Sequence, residues 1–273
     1  MNRVKSLFTG LKREKKKAFI VYITAGYPDI SVTEKLITEL DKSGADLIEI
    51  GIPFSDPLAD GPTIQRASYR ALSKGITIRA IFAMVRRVRR KTSIPIVFMT
   101  YYNPVSRYGS GRFVRDAKKA GADGIIVPDL PPEEGSELIR QARKADFATI
   151  FLAAPTSTGQ RLGKIAKTST GFIYYVSLTG VTGARKRLPG DITGNVKKLR
   201  KITDKPVCVG FGISEPRQAK RIAHLADGII VGSAVIRVIE KAYGKKKFYA
   251  KVGRFVKGLS RAVHGKREKS VKR

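Results

Sequence analysis

Glu49 interrupts the apolar run Leu47-Ile-Glu-Ile-Gly-Ile52, and Asp56 and Asp60 follow it in a segment carrying Pro53, Pro57 and Pro62. An ionised carboxylate among aliphatic side chains is costly unless paired. Its pKa rises in compensation, which suits it to donating a proton near neutrality. If the run is a strand, alternation points Leu47, Glu49 and Gly51 to one face and Ile48, Ile50 and Ile52 to the other. The three prolines restrict the following loop, which is expected to bring Asp56 and Asp60 back over the strand's C-terminal end. Two acids in unlike surroundings can divide acid and base work between them. Either sign alone also fits a simpler account, a glutamate on a solvated strand face or an Asp-Pro turn.

A second kind of chemistry is written in glycines. The segments Ser177-Leu-Thr-Gly-Val-Thr-Gly183, Gly210-Phe-Gly-Ile-Ser214 and Gly232-Ser-Ala234 each follow an apolar run late in the chain. Glycine lets backbone N–H groups approach an anion closely, and Gly232-Ser233 opens a helical pattern whose N-terminal dipole favours phosphate. Each glycine alone would serve equally as a turn.

The elements that must hold these residues recur with a regular beat. Eight apolar, β-branched runs, at residues 19–24, 47–52, 94–99, 124–128, 148–153, 172–177, 207–210 and 228–232, are separated by segments of helical periodicity. Two examples of the latter are the stripes Val32, Leu36, Ile37, Leu40 and Ile78, Ile81, Phe82, Val85, Val88. Residues 132–134 and 214–218 have the composition of helix starts. Eight strand–helix units in this length predict a (β/α)8 barrel, and a doubly wound open sheet is the competing architecture. Closure is favoured because the chemistry-bearing residues end several different strands rather than meeting at one switch point. An amphipathic helix within residues 4–17 is expected to cap the barrel floor. Residues 1–264 read as one catalytic domain, with a long final helical region from 233 and a disordered basic tail over 265–273.

Composition sets the outer limits. The chain has 273 residues, 42% of them hydrophobic, and 54 Lys and Arg against 22 Asp and Glu, a formal charge of +32. No apolar run approaches the roughly 18 residues of a spanning helix, and residues 1–8 lack the apolar core of a secretory signal, so a cytoplasmic protein without a membrane is expected. The single cysteine, Cys208, cannot form an internal disulfide and reads as a buried structural thiol. His224 and His264 are isolated and no metal site is expected; no lysine falls in the strand runs, which argues against Schiff-base chemistry. The charge lies along helices and in the tail without stacking aromatics, which predicts incidental polyanion affinity rather than a specific nucleic-acid site. A nucleic-acid-binding scaffold is the reading that a salt-resistant, sequence-selective interaction would favour.

The segment 47–65 closely resembles the signature of the tryptophan synthase alpha chain. The likeness extends through Ala18-Phe-Ile-Val-Tyr-Ile-Thr-Ala-Gly-Tyr-Pro28, Val127-Pro-Asp-Leu-Pro-Pro-Glu-Glu134, Phe172-Ile-Tyr-Tyr-Val-Ser177 and Asp227-Gly-Ile-Ile-Val-Gly-Ser233. The resemblance implies a lyase that cleaves indole-3-glycerol phosphate to indole and glyceraldehyde 3-phosphate, with Glu49 and Asp60 as the catalytic pair. It implicates Tyr175 as an active-site hydroxyl, although a tyrosine in a Tyr-Tyr strand also suits core packing. Gly183, Gly212, Gly232 and Ser233 are carried over to the phosphate, and Tyr22, Ile64, Phe211 and Ile213 are placed around the indole. The family implies no cofactor in this chain and a beta-chain partner carrying pyridoxal phosphate, in an alpha2beta2 heterotetramer. Pro53 and Asp56 are expected at the partner interface, and the loops 53–62 and 180–189 are expected to close over substrate. Another phosphate-binding barrel enzyme remains the alternative that fold and phosphate site alone would permit.

Overall fold

Every one of the eight apolar runs forms a parallel strand, because aliphatic and β-branched side chains can bury both faces of a strand only when helices cover the outside. The computed structural model describes residues 2–176, 192–210 and 212–265. The chain order is α1 (Arg3–Arg13), β1 (Ala18–Thr24), α2 (Ile30–Lys42), β2 (Leu47–Gly51), α3 (Pro62–Leu72), α4 (Ile78–Val88), β3 (Ile96–Met99), α5 (Tyr102–Tyr108), α6 (Ser110–Ala120), β4 (Gly124–Ile126), α7 (Ser136–Lys144), β5 (Ala148–Ile150), β6 (Leu152–Ala153), α8 (Gly159–Thr168), β7 (Ile173–Val176), α9 (Ile192–Ile202), β8 (Val207–Gly210), α10 (Pro216–Leu225), β9 (Gly228–Val231), α11 (Ser233–Ala242) and α12 (Phe248–His264). The sheet order is β5-β4-β3-β2-β1-β9-β8-β7-β6. Its two ends, β5 and β6, are consecutive pieces of one strand broken at Phe151, so β5 pairs with β4, β6 pairs with β7, and the sheet closes into a (β/α)8 barrel.

Alternation sorts the side chains into two cores. Ala18, Ile20, Leu47, Val97, Ile126, Phe172, Cys208 and Ile230 fill the inside of the barrel, while residues such as Ile23, Ile48, Ile50 and Phe98 pack outward under the helices. Helix α1 plugs the floor as its periodicity predicted. Val4, Phe8 and Leu11 join the inner core, with the Phe8 and Phe172 rings 5.5 Å apart. A buried ion cluster pins the same helix: Asp123 accepts from Arg3 and Arg89, both at 2.9 Å, and the Asn2 side chain donates to the Asp123 carbonyl at 2.7 Å.

The helix starts divide. At α10, the Gln218 side-chain oxygen accepts from the backbone N–H of Ser214 at 2.9 Å and of Glu215 at 3.3 Å, a capping arrangement at the place the sequence indicates. Residues 132–134 instead form a turn, closed by the N–H groups of Glu134 and Gly135 on the Pro131 carbonyl, and α7 begins at Ser136. The tail after Gly265, the segment 180–189, Gly183 and Phe211 lie outside the described residues.

Candidate active site

Glu49 stands in the middle of β2 with Tyr22 on one side and Val97 on the other, by the register Tyr22 to Glu49 and Glu49 to Val97. The side chain points into the barrel, as alternation with the inner-core Leu47 requires, and it opens into a pocket at the C-terminal ends of the strands. That pocket encloses about 530 Å3 of space including its open mouth. Glu49 is 1% exposed and its Oε2 has no hydrogen-bond partner among the described residues. Burial, followed by the charge of Asp60, pushes its carboxyl up to about 8.

The loop after β2 delivers Asp60 to the same cavity. Its path is set by short local bonds: Leu58 N–H donates to Asp56 O at 3.0 Å, Asp60 N–H to Pro57 O at 3.0 Å, and the Gln65 side chain to Asp60 O at 2.9 Å. Pro62 occupies the first turn of α3, where its missing N–H costs nothing. Tyr101, at the N-cap of α5 just beyond β3, fastens the loop from the neighbouring strand: its hydroxyl accepts from Ala59 N–H at 2.9 Å and its ring lies 5.3 Å from that of Phe54. Burial raises the Asp60 carboxyl to about 6, against the lowering effect of a hydrogen bond from the Tyr101 hydroxyl. The two acids are thus held apart in pKa by their surroundings, one largely protonated and one largely ionised at neutrality.

Phenols and apolar side chains wall the space between. Tyr22 lines it, its hydroxyl 3.3 Å from Thr24 Oγ1. Gly51 makes the room, since a Cβ there would collide with the Tyr22 hydroxyl. Ile64, Met99, Ile213 and Ile230 supply the aliphatic surface. The expectation for Tyr175 is corrected. Tyr175 lies in the outer core beneath the helices, whereas Tyr174, one residue earlier and therefore on the opposite strand face, lines the pocket. Gly210 on β8 leaves space for the Tyr174 hydroxyl. Burial and the two nearby carboxylates push the phenols of Tyr22 and Tyr174 well above their ordinary range, so both remain hydroxyl donors.

A further part of the pocket lining is suited to an anion. Gly212 adopts φ +77°, a left-handed conformation that favours glycine, and Gly232, Ser233 and Ala234 bring the start of α11 to the cavity. Among the described residues no side chain caps that helix, which leaves its first N–H groups to a ligand. Arg237, one turn further on, also lines the space. Of the expected site residues, Glu49, Asp60, Tyr22, Ile64, Gly212, Gly232 and Ser233 therefore share one pocket. Asp56 does not line it: it is exposed on the loop beside Leu58, which is 76% exposed, while Pro53 is buried within the chain.

A profile of the family described as "Tryptophan synthase alpha chain" matches residues 8–264. The chain belongs to the tryptophan synthase alpha chain family. The tryptophan synthase alpha chain of Geotalea daltonii is 51% identical over 263 residues, covering 96% of this chain and 99% of that one. That of Caldanaerobacter subterraneus is 48% identical over 259 residues, covering 95% and 98%. The crystal structure of tryptophan synthase subunit alpha from Legionella pneumophila superposes with a TM-score of 0.88 at 38% identity, covering 96% of this chain and 98% of that chain. A Mycobacterium tuberculosis tryptophan synthase structure gives a TM-score of 0.89 at 37% identity, with 96% and 98% coverage. The family places this chain in tryptophan biosynthesis as a lyase with a beta-chain partner.

Proposed function

We propose that this pocket cleaves indole-3-glycerol phosphate by retro-aldol chemistry, with Glu49 moving the protons and Asp60 holding the ring nitrogen. The reading rests on one observation above others: two carboxylates of unlike pKa line the same cavity as the start of α11. The reaction needs a proton on indole C3 and loss of one from the hydroxyl on the adjoining side-chain carbon. The bond between those carbons then breaks, its electron pair returns to the ring, and the oxygen becomes the carbonyl of glyceraldehyde 3-phosphate. Glu49, protonated at neutrality, is suited to give the C3 proton, and as the carboxylate it can then accept the hydroxyl proton. Protonation at C3 leaves positive charge on the ring nitrogen, and an ionised Asp60 accepting the N1–H bond would stabilise that charge most in the transition state.

Tyr22, Ile64, Met99 and Ile213 are proposed to flank the indole and exclude water, with the Tyr174 hydroxyl positioned by strand β7. Gly212, Gly232 and Ser233 would hold the phosphate through backbone N–H groups and the serine hydroxyl. Gly183 is assigned to the phosphate and Phe211 to the indole from the sequence alone. These side chains supply every proton transfer the cleavage requires, so the chain is proposed to work without a cofactor. Pyridoxal phosphate then belongs to the beta chain, in a cytoplasmic alpha2beta2 assembly docking near Asp56 and Leu58. Release of indole from indole-3-glycerol phosphate by the purified chain, alone and with a cognate beta chain, tests this. No indole under either condition would overturn it.

A further inference from the structure

Arg237 is the one cation lining the acid-bearing pocket among the described residues. It stands four residues after Ser233 on α11, hence on the same helix face. Long helical side chains lean back toward the helix N-terminus, which carries Arg237 toward the Gly232-Ser233 end of the cavity. The nearest acid along its helix is already engaged: Glu240 lies 3.9 Å from Arg66 and 3.5 Å from Arg70. Arg237 itself makes no ion pair with a described residue.

Its surroundings make that solitude costly. The guanidinium is half-buried, and burial alone holds it below its ordinary value, with no carboxylate acting in the other direction. The positive end of the α11 dipole adds charge of the same sign. A partly desolvated cation at that end, with no counter-ion among the described residues, is relieved by an anion arriving in the cavity. The pocket's own acids do not fill the role: Glu49 is held largely protonated, and Asp60 is tied to Tyr101. The same cavity also holds the buried Glu49 side chain, whose Oε2 has no hydrogen-bond partner among the described residues.

We propose that Arg237 is a specificity-determining residue that pairs with the substrate's terminal phosphate as a dianion, alongside the N–H groups at the start of α11. This rests on the lyase reading above. It implies that the site selects phosphorylated glycerol chains over their dephosphorylated counterparts through a fork of guanidinium donors that a backbone cradle alone does not provide.

The test uses the full chain and its Arg237→Gln and Arg237→Met variants. Calorimetric titration with glycerol 3-phosphate and with indole is paired with steady-state cleavage of indole-3-glycerol phosphate. Losing one charge-assisted interaction should weaken glycerol 3-phosphate binding by about tenfold or more, raise KM by a similar factor and leave kcat within about threefold. Indole affinity should not change in either variant, which a merely structural role would not predict. Arg237→Met keeps the apolar stem, so it decides the matter if the glutamine variant fails to fold. Glycerol 3-phosphate affinity within twofold of the parent in a folded variant would overturn the proposal and leave the lyase reading standing. A parent chain that neither binds glycerol 3-phosphate nor releases indole would overturn both.

Discussion

Tyr101→Phe offers a direct test of how Asp60 is tuned. The Tyr101 hydroxyl does two jobs: it accepts from Ala59 N–H at 2.9 Å, which shapes the loop, and it donates to Asp60, which stabilises the ionised carboxylate. A hydrogen bond to a charged group contributes roughly 1.5 kcal/mol or more, and one pKa unit corresponds to about 1.4 kcal/mol, so its removal should raise Asp60 by about one unit. With Asp60 starting near 6, the ionised fraction at pH 6 falls from about one half to about one tenth, and at pH 7 from about nine tenths to about one half. If catalysis needs Asp60 ionised and Glu49 protonated, kcat/KM in the parent should trace a bell with limbs near 6 and near 8. The phenylalanine variant should then lose about fivefold at pH 6 and less than twofold at pH 7, with the alkaline limb in place. Indole release measured from about pH 5 to about pH 9, with thermal melting to show that the loop still folds, reads this out. An acid limb that stays where it was, or moves down, would refute the assignment of that limb to Asp60.

Glu49→Gln should lower indole release by at least about a hundredfold while barely changing affinity for glycerol 3-phosphate; a variant retaining a tenth of parental turnover would remove Glu49 from the mechanism. The same substitution should stabilise the fold at alkaline pH. A buried acid whose carboxyl is raised from 4.5 to about 8 loses stability progressively across that interval, on the order of 5 kcal/mol, while below about pH 4.5 both states are protonated and the penalty vanishes. Denaturant melts of parent and variant at pH 4 and pH 8.5 should therefore diverge only at the higher pH. Tyr174→Phe should depress kcat/KM whereas Tyr175→Phe should leave it within about twofold, and the reverse ranking would restore Tyr175 to the site. Saturating beta chain should raise cleavage by at least roughly tenfold, about 1.4 kcal/mol, and unchanged turnover with demonstrably bound partner would remove the coupling.

The tandem tyrosines show why parts of this site were legible and parts were not. Both faces of a barrel strand are buried, one against the barrel interior and one beneath the helices, so hydrophobicity along Phe172-Ile-Tyr-Tyr-Val176 carries no mark of which face is which. Glu49 escapes that ambiguity because a carboxylate among aliphatics is conspicuous in either frame, and its neighbours Leu47 and Gly51 share its parity. The eight strands were readable for the same reason the tyrosines were not: uniformly apolar runs announce a doubly covered sheet. Tyr101 and Arg237 belong to a third case. Tyr101 reaches Asp60 only because β2 and β3 are adjacent, so their C-terminal loops meet although 41 residues separate the two side chains in sequence. Arg237 sits in a helix whose apolar stripe reads as ordinary packing, in a chain already rich in arginine. A polar side chain inside the barrel stands out against an apolar background. One on the rim is hidden among many like it until the closed sheet decides which of them face the same cavity.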